Sequence, residues 1–285
     1  MLIDGRQIAR EIGDRIQSEI AIQNLNLTLL VVQVGEDPAS TSFIKMKKAF
    51  AERVGIKVKL VELSEDGSTN DVKEIVADAG DNKEISGIIV QLPLPKSFNT
   101  REILDLIPPN KDPDLLGSEA QARFAAGESE ILPPVVAAVS QIFDNYQVAT
   151  DLADIAVVGY GQLVGQPVGK WLHNMGIDFA LITSENENPE AILSKADIII
   201  SGVGKPGLIK PHMIKDDVVL IDAGTSESPE APVGPTNRGL VGDADPRCAE
   251  KASLMTPVPG GVGPIAVAKL FENLLALSLS RPAAK

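Results

Sequence analysis

Cysteine is nearly absent: Cys248 is the only one in 285 residues. An intrachain disulfide is excluded, and so is a zinc site built on cysteines. Histidine is almost as scarce, with His173 and His212 the only two, both peripheral to the strong motifs. A histidine-centred mechanism is therefore not expected, which removes many hydrolases and the hydroxy-acid dehydrogenases that use a histidine base. No metal site is expected either. Positive charge is also short: 26 Lys and Arg against 39 Asp and Glu leave a net charge of −13. That balance argues against nucleic acid or an anionic membrane as the main partner, while leaving room for a small anion in a local pocket. No apolar run approaches the roughly 18 residues of a membrane span, and there is no N-terminal signal pattern. A cytoplasmic protein is expected.

What is present is an ordinary globular composition, 44% hydrophobic and 23% charged, on a chain long enough for two domains. Strand-like and helix-like patterns alternate. Ile8, Ile12, Ile16 and Ile20 recur at helical spacing over residues 5–22. Strands are expected at 27–34, 57–63 and 85–91, the last broken by Leu92-Pro93-Leu94-Pro95. Ser68 to Asn70 and Asn99 or Thr100 are caps for the helices between and after them. A helix from Pro133-Pro134 to about Tyr146 marks the domain boundary, and further strands are expected at 154–158, 177–182, 198–201 and 218–221. A final apolar helix covers 265–279, and the Pro- and Gly-rich segment 225–240 reads as an exposed loop. This is the pattern of an α/β protein with parallel sheets, in which ligands bind beyond the C-terminal strand ends. The expected domains are 1–136, with 265–285 packing back on it, and a Rossmann-like dinucleotide-binding domain at 137–264.

The helix that begins near Asp37 and ends at Gly55 carries an anomaly. Phe43, Met46, Phe50 and Val54 fall on one face, and Lys47 falls in the middle of it, while Lys45, Lys48 and Glu52 face the other way. Ser40, Thr41 or Ser42 is the expected N-cap. A lysine on an apolar face is desolvated unless its amine reaches water, and desolvation lowers its pKa toward the range useful for proton transfer. The alternative is a stem that packs and an amine that snorkels out.

In the second half, Gly159, Gly161 and Gly165 lie between a strand and a helix, where a Gly-x-Gly turn lets the backbone approach a pyrophosphate. Gly202-Val203-Gly204-Lys205-Pro206 and Ala223-Gly224-Thr225 lie at two later strand ends and can line the same crevice. Tight strand–helix packing would account for the glycines equally well. Asp112 and Asp114, in Lys111-Asp112-Pro113-Asp114, are either turn residues or carboxylates able to accept two parallel bonds from an amidine-like ligand edge. The stretch 257–264 reads as a rigid loop.

These pieces, in this order, resemble the bifunctional methylenetetrahydrofolate dehydrogenase/cyclohydrolase family. The resemblance spans nearly the whole chain. It rests on Asp37-Pro38-Ala39-Ser40 with Lys47 and Val54-Gly55, on Gly87-Ile88-Ile89-Val90-Gln91-Leu92-Pro93-Leu94-Pro95, and on Lys111-Asp112-Pro113-Asp114. It continues through Val157-Val158-Gly159, Val164-Gly165-Gln166-Pro167, Ala196-Asp197, Gly204-Lys205-Pro206-Gly207, Gly242-Asp243, and Thr256 to Pro264. By this resemblance the protein is a homodimer of two-domain subunits. It would oxidise methylenetetrahydrofolate with NAD or NADP, then hydrolyse the methenyl product to formyltetrahydrofolate. Lys47 would be the catalytic lysine of the hydrolysis, Gln91 its partner, and Asp114 the holder of the pterin ring. Phe43, Ser40, Gly263 and Pro264 would border the folate. Gly159, Tyr160, Gly161, Val164, Gly165, Ser184, Glu185, Gly202, Gly204 and Thr225 would border the cofactor.

Phe43 stands where the family usually has Tyr, Leu115 where Gly follows the aspartate, and Tyr160 where Arg is usual. With that arginine gone and Glu185 beside Ser184, NAD is expected to be favoured over NADP. Two other functions stay open: a non-catalytic folate- or nucleotide-binding member, which Phe43 and Leu115 favour, and another Rossmann dehydrogenase of the shikimate or amino-acid kind, which Gln91 to Pro95 argues against.

Overall fold

The computed structural model describes residues 1–35, 38–227, 233–234 and 237–281. The chain forms two compact units, neither continuous in sequence: Arg10–Pro134 with Val267–Lys285, and Met1–Ala9 with Val135–Ala266. Helix α1 (Gly5–Ile22) begins in the second of these and runs into the first.

The first unit is built on three parallel strands, β1 (Thr28–Val34), β2 (Lys57–Leu63) and β3 (Gly87–Val90), in the order β2-β1-β3. Val31 sits opposite both Leu60 and Ile89. The central strand is buried from Leu29 to Val34, as a parallel strand covered on both faces must be, whereas Lys57, Lys59 and Glu62 keep the edge strand β2 wet. Helix α2 (Pro38–Val54) ends at Gly55, whose φ of +79° gives the left-handed turn that glycine adopts freely. Helix α3 (Thr69–Asp81) opens on a capping box: the Ser68 hydroxyl accepts from the Asp71 N–H, and the Asp71 carboxylate accepts from the Ser68 N–H. Val72 and Val76 of α3 join Leu30, Val32, Ile88 and Val90 in the core. Helix α4 (Thr100–Leu104), capped by Asn99, and α5 (Ser118–Ala125) bracket the segment that carries Asp112 and Asp114. The final helix, α9 (Val262–Leu279), stacks Phe271 on Phe50 with ring centroids 5.3 Å apart. It also packs so closely on β3 that a Cβ at Gly87 would lie 2.4 Å from Leu274.

The second unit contains α6 (Pro134–Tyr146), β4 (Ile155–Val158), α7 (Gly165–Asn174), β5 (Ala180–Ile182), α8 (Pro189–Leu193), β6 (Ile198–Ser201) and β7 (Val219–Asp222). With the short strand Leu254–Met255 they form a five-stranded parallel sheet, in which β4 lies between β5 and β6, and β7 follows β6. The strand order therefore reverses at β4, and the ends of β4 and β6 flank the crevice where such sheets bind ligands. Cys248 is fully buried in the core, donates to the Ile209 carbonyl at 3.5 Å, and is held as a thiol, because burial pushes it up to about 11.

Four expectations need correction. Helix α2 begins at Pro38, so Ser40, Thr41 and Ser42 lie inside it; proline suits a first helical position, where its missing N–H has no partner to lose. Asp37 lies outside the described residues. The stretch 257–264 is loop only as far as Gly261, since α9 begins at Val262 and takes Gly263 and Pro264 into its first turn. Segment 225–240 forms two small antiparallel pairs, Ser226–Glu227 with Leu240–Val241 and Val233–Gly234 with Asn237–Arg238; the rest of it lies outside the described residues. Helix α9 is, by length and a mean hydropathy of 1.5, apolar enough to cross a membrane. Its Ile265, Ala268, Phe271 and Leu274 are buried, as in the core helix of a globular protein.

Candidate active site

Helix α2 turns Ile44, Lys47, Ala51 and Val54 inward; of the expected apolar face only Val54 is fully buried, while Phe43, Met46 and Phe50 are half-buried beside it. Lys47 is only 7% exposed, so its amine does not snorkel to water. Its Nζ donates to Gln91 Oε1 at 3.0 Å. Gln91 is the first residue beyond β3, fixed by its own N–H to the Val32 carbonyl at 2.8 Å. The Gln91 amide donates in turn to the Leu92 carbonyl at 2.9 Å, which orients Oε1 toward the lysine, and the Ser40 hydroxyl donates to that carbonyl at 3.3 Å. Ser40 thus ties α2 to the Leu92 turn. Burial holds the Lys47 pKa below its ordinary value, with the Asp114 charge pulling the other way. Burial raises Asp114 in the same manner, and Lys47 opposes it. The structure therefore brings Lys47, Gln91 and Asp114 together, with Phe43 one helical turn before the lysine.

The Asp114 loop is pinned on several sides. Asp112 is 1% exposed; its Oδ2 accepts from the Gly117 N–H at 2.8 Å, while Oδ1 has no hydrogen-bond partner among the described residues. Burial pushes this carboxyl up to about 6, with the neighbouring Asp114 charge adding to the effect. Leu115 adopts φ +54°, a left-handed conformation that favours glycine. Lys111 Nζ donates to the carbonyls of Ala79 and Asn82 at the end of α3. Asn273 of α9 donates to the Pro113 carbonyl at 2.9 Å and to the Leu132 carbonyl at 2.8 Å. Neither Lys111 nor Asn273 emerged from the sequence as a site residue. The available signal was Asn273 itself, a buried amide in a helix otherwise dominated by apolar side chains.

In the five-stranded unit, Gly159 ends β4 with φ +90°, and a Cβ there would lie 2.9 Å from Val203. A Cβ at Gly165 would lie 2.0 Å from the Gly159 carbonyl oxygen, and one at Gly202 would lie 2.3 Å from Val164. These three glycines serve close packing of the strand ends on α7. Gly161 and Gly204 are different: a Cβ at either would meet nothing nearer than 3.7 Å, so their backbone faces open space. Exposed backbone at the N-terminus of a ten-residue helix, at the point where strand order reverses, fits the diphosphate of a dinucleotide. Beyond β5, the neighbour of β4, an Asn186 side chain that accepts from the Thr183 N–H at 2.7 Å shapes a turn with Ser184 and Glu185 exposed on it. Tyr160 and Thr225 are exposed as well.

Two family models match the chain: the tetrahydrofolate dehydrogenase/cyclohydrolase catalytic domain over residues 3–114, and the NAD(P)-binding domain of the same family over residues 133–281. The chain belongs to the tetrahydrofolate dehydrogenase/cyclohydrolase family. Among its relatives is the bifunctional protein FolD of Nautilia profundicola, 34% identical over 95% of both chains. Solved structures of the family agree. The bifunctional FolD of Campylobacter jejuni is 28% identical with a TM-score of 0.91 over 99% of each chain. The Trypanosoma brucei enzyme, solved with NADP and an inhibitor, is 28% identical with a TM-score of 0.92 over 98% of this chain and 97% of that one. Within this family member, Lys47, Gln91 and Asp114 all fall under the catalytic-domain match. Gly159 to Thr225, Gly263 and Pro264 fall under the NAD(P)-binding match.

Proposed function

We propose that this folate dehydrogenase/cyclohydrolase carries out its hydrolytic step with Lys47 as the proton-transfer group. The observation that supports this is the buried amine, hydrogen-bonded to Gln91 and shifted toward its neutral form. Methenyltetrahydrofolate presents a carbon bonded to two nitrogens. Water adds to that carbon, forming a C–O bond, and one C–N bond breaks to leave 10-formyltetrahydrofolate. The water loses two protons as its oxygen becomes the formyl carbonyl: one must reach the departing ring nitrogen, which a neutral Lys47 Nζ can accept and hand on, and the other leaves to solvent, carrying off the positive charge of the methenyl group. Gln91 Oε1 accepts from the amine and keeps it aimed. Asp114, held by the loop that Asp112 and Asn273 fix, accepts from the amidine-like edge of the pterin. Phe43 and Ser40 border the same substrate.

When bound, NAD or NADP supplies the hydride acceptor for oxidising methylenetetrahydrofolate to the methenyl form. Gly161 and the α7 N-terminus at Val164 and Gly165 would hold its diphosphate, with Gly159 and Tyr160 shaping the turn beside it; Ser184 and Glu185 would meet the ribose; Gly202, Gly204 and Thr225 would line the crevice. NAD is the favoured cofactor. A carboxylate at Glu185 accepts from an unmodified ribose and repels a 2′-phosphate, and the arginine expected at 160 is Tyr. A cytoplasmic homodimer completes this reading, the location supported by the single reduced cysteine and the assembly by the family resemblance. The deciding experiment incubates the purified protein with methylenetetrahydrofolate and each dinucleotide, following reduced cofactor and methenyl absorbance separately. Production of neither species would refute the dehydrogenase assignment. Methenyl that accumulates without decay beyond its uncatalysed rate would refute the hydrolytic one.

A further inference from the structure

The Gly242-Asp243 motif has no part in either step above. Asp243 is wholly buried. Its Oδ2 accepts from the Ser201 hydroxyl at 2.7 Å and from the Val203 N–H at 2.7 Å, and its Oδ1 accepts from the Lys205 N–H at 2.8 Å. All three donors belong to the end of β6 and the glycine loop that follows it. The Gly204 carbonyl of that loop is also taken, by the Ser226 hydroxyl at 2.7 Å. Room for the carboxylate comes from Gly224, where a Cβ would lie 2.3 Å from Asp243 Oδ1. A second aspartate interlocks with the first. Asp222, 1% exposed, accepts from Gly224 N–H and Ala244 N–H, and a Cβ at Gly242 would lie 2.1 Å from its Oδ2. Two buried carboxylates side by side cost more than apolar residues of the same volume, so stability does not account for them. Position does.

We infer that Asp243 is a positioning residue for dinucleotide binding: it fixes the 202–205 loop against the end of β4 and occupies the Val203 and Lys205 N–H groups. Val203, 43% exposed, then stands beside the Gly159 turn as a wall of the crevice. The diphosphate is left to Gly161 and the α7 N-terminus, because the Val203 and Lys205 amides are already bonded. This inference rests on the placement of NAD(P) at the ends of β4 and β6.

The test is calorimetric titration of NAD and NADP into the purified protein, alongside methenyl hydrolysis assayed without nucleotide. Asp243→Asn sets an amide NH2 against a backbone N–H or the Ser201 hydroxyl. It is expected to raise the Kd and KM of the better dinucleotide tenfold or more, with hydrolysis within twofold of the parent. A Kd within twofold, in a variant that retains hydrolysis, overturns the inference. Should Asp243→Asn fail to fold, Ser201→Ala removes a single donor and decides instead: a threefold or larger rise in Kd supports the inference, and an unchanged Kd overturns it. Gly161→Asp, which the open space around Gly161 admits, tests the placement separately. If it weakens binding while Asp243→Asn does not, only the role of Asp243 fails. If Gly161→Asp leaves binding unchanged, the cofactor placement fails and takes the inference with it.

Discussion

Replacing Lys47 with Met separates proton transfer from packing. Methionine has similar reach and suits the stripe formed by Ile44, Ala51 and Val54. The substitution takes the donor from the half-buried Gln91 Oε1, a loss of about 1 kcal/mol. It also relieves the burial of an amine whose charged form is disfavoured there. The two effects oppose each other, so stability should change by no more than about 1.5 kcal/mol. Catalysis has no such offset. General acid–base groups contribute about 10²- to 10⁴-fold, equivalent to about 3–5 kcal/mol of barrier, and Lys47→Met should lose that much methenyl hydrolysis. In the parent, the neutral amine is the acceptor, so the rate should rise with pH through a pKa below the ordinary lysine value of 10.5. Thermal melts and methenyl decay across pH, corrected for the uncatalysed reaction, measure both. A Lys47→Met variant that melts like the parent and hydrolyses at the parental rate would refute the role.

Phe43→Tyr restores one hydrogen-bonding hydroxyl near Lys47, worth about 0.5–1.5 kcal/mol; hydrolysis should rise by about two- to tenfold, and an unchanged or slower rate counts against the placement. Glu185→Ser should move the ratio of kcat/KM for NAD over NADP toward NADP. A parent that prefers NADP by tenfold, about 1.4 kcal/mol, or a ratio the substitution leaves untouched, sinks the ribose assignment. For Asp112, whose carboxyl is pushed from 3.8 to about 6, the folded protein holds a proton that the unfolded chain has lost between those values. Stability therefore falls as pH rises through that window, by at most about 3 kcal/mol. Asp112→Asn abolishes the titration, so the variant's Tm should gain on the parent's between pH 4 and pH 7; equal differences at both values would show that Asp112 is not buried as a strained acid.

Local periodicity carried much of this fold. The apolar spacing of α2, the cap at Ser68 and the runs that became β1, β3, β4 and β6 are short-range signals, and each appears at its expected place within a few residues. Lys47 was conspicuous for the same reason, a charge in the middle of an apolar stripe. Helices α5 and α8 went unassigned because eight and five residues give periodicity little length to register. Pro38 was passed over as a helix start in favour of the hydroxyl residues behind it, although proline at a first helical position is itself a start signal. The left-handed backbone at Leu115 left no mark, since nothing in a leucine announces positive φ. The supports of the Asp114 loop were hidden for a different reason: Asn273 reaches the Pro113 carbonyl across 160 residues of sequence, and no window along the chain spans that distance.

That long reach has a consequence for how the protein is made. The strands β1 to β3 and the Asp114 loop leave the ribosome well before α9, yet Leu274 fills the hollow over Gly87 and Asn273 holds the Pro113 carbonyl. Until those residues are translated, the catalytic unit has its sheet but lacks the helix that covers it, and apolar surface around Gly87 and Phe50 stays open to water. The whole dinucleotide-binding sheet is synthesised in that interval. Completion of the lysine site thus waits until the whole intervening sheet has been made, and a nascent chain stalled before residue 270 is expected to recruit chaperones rather than bind folate.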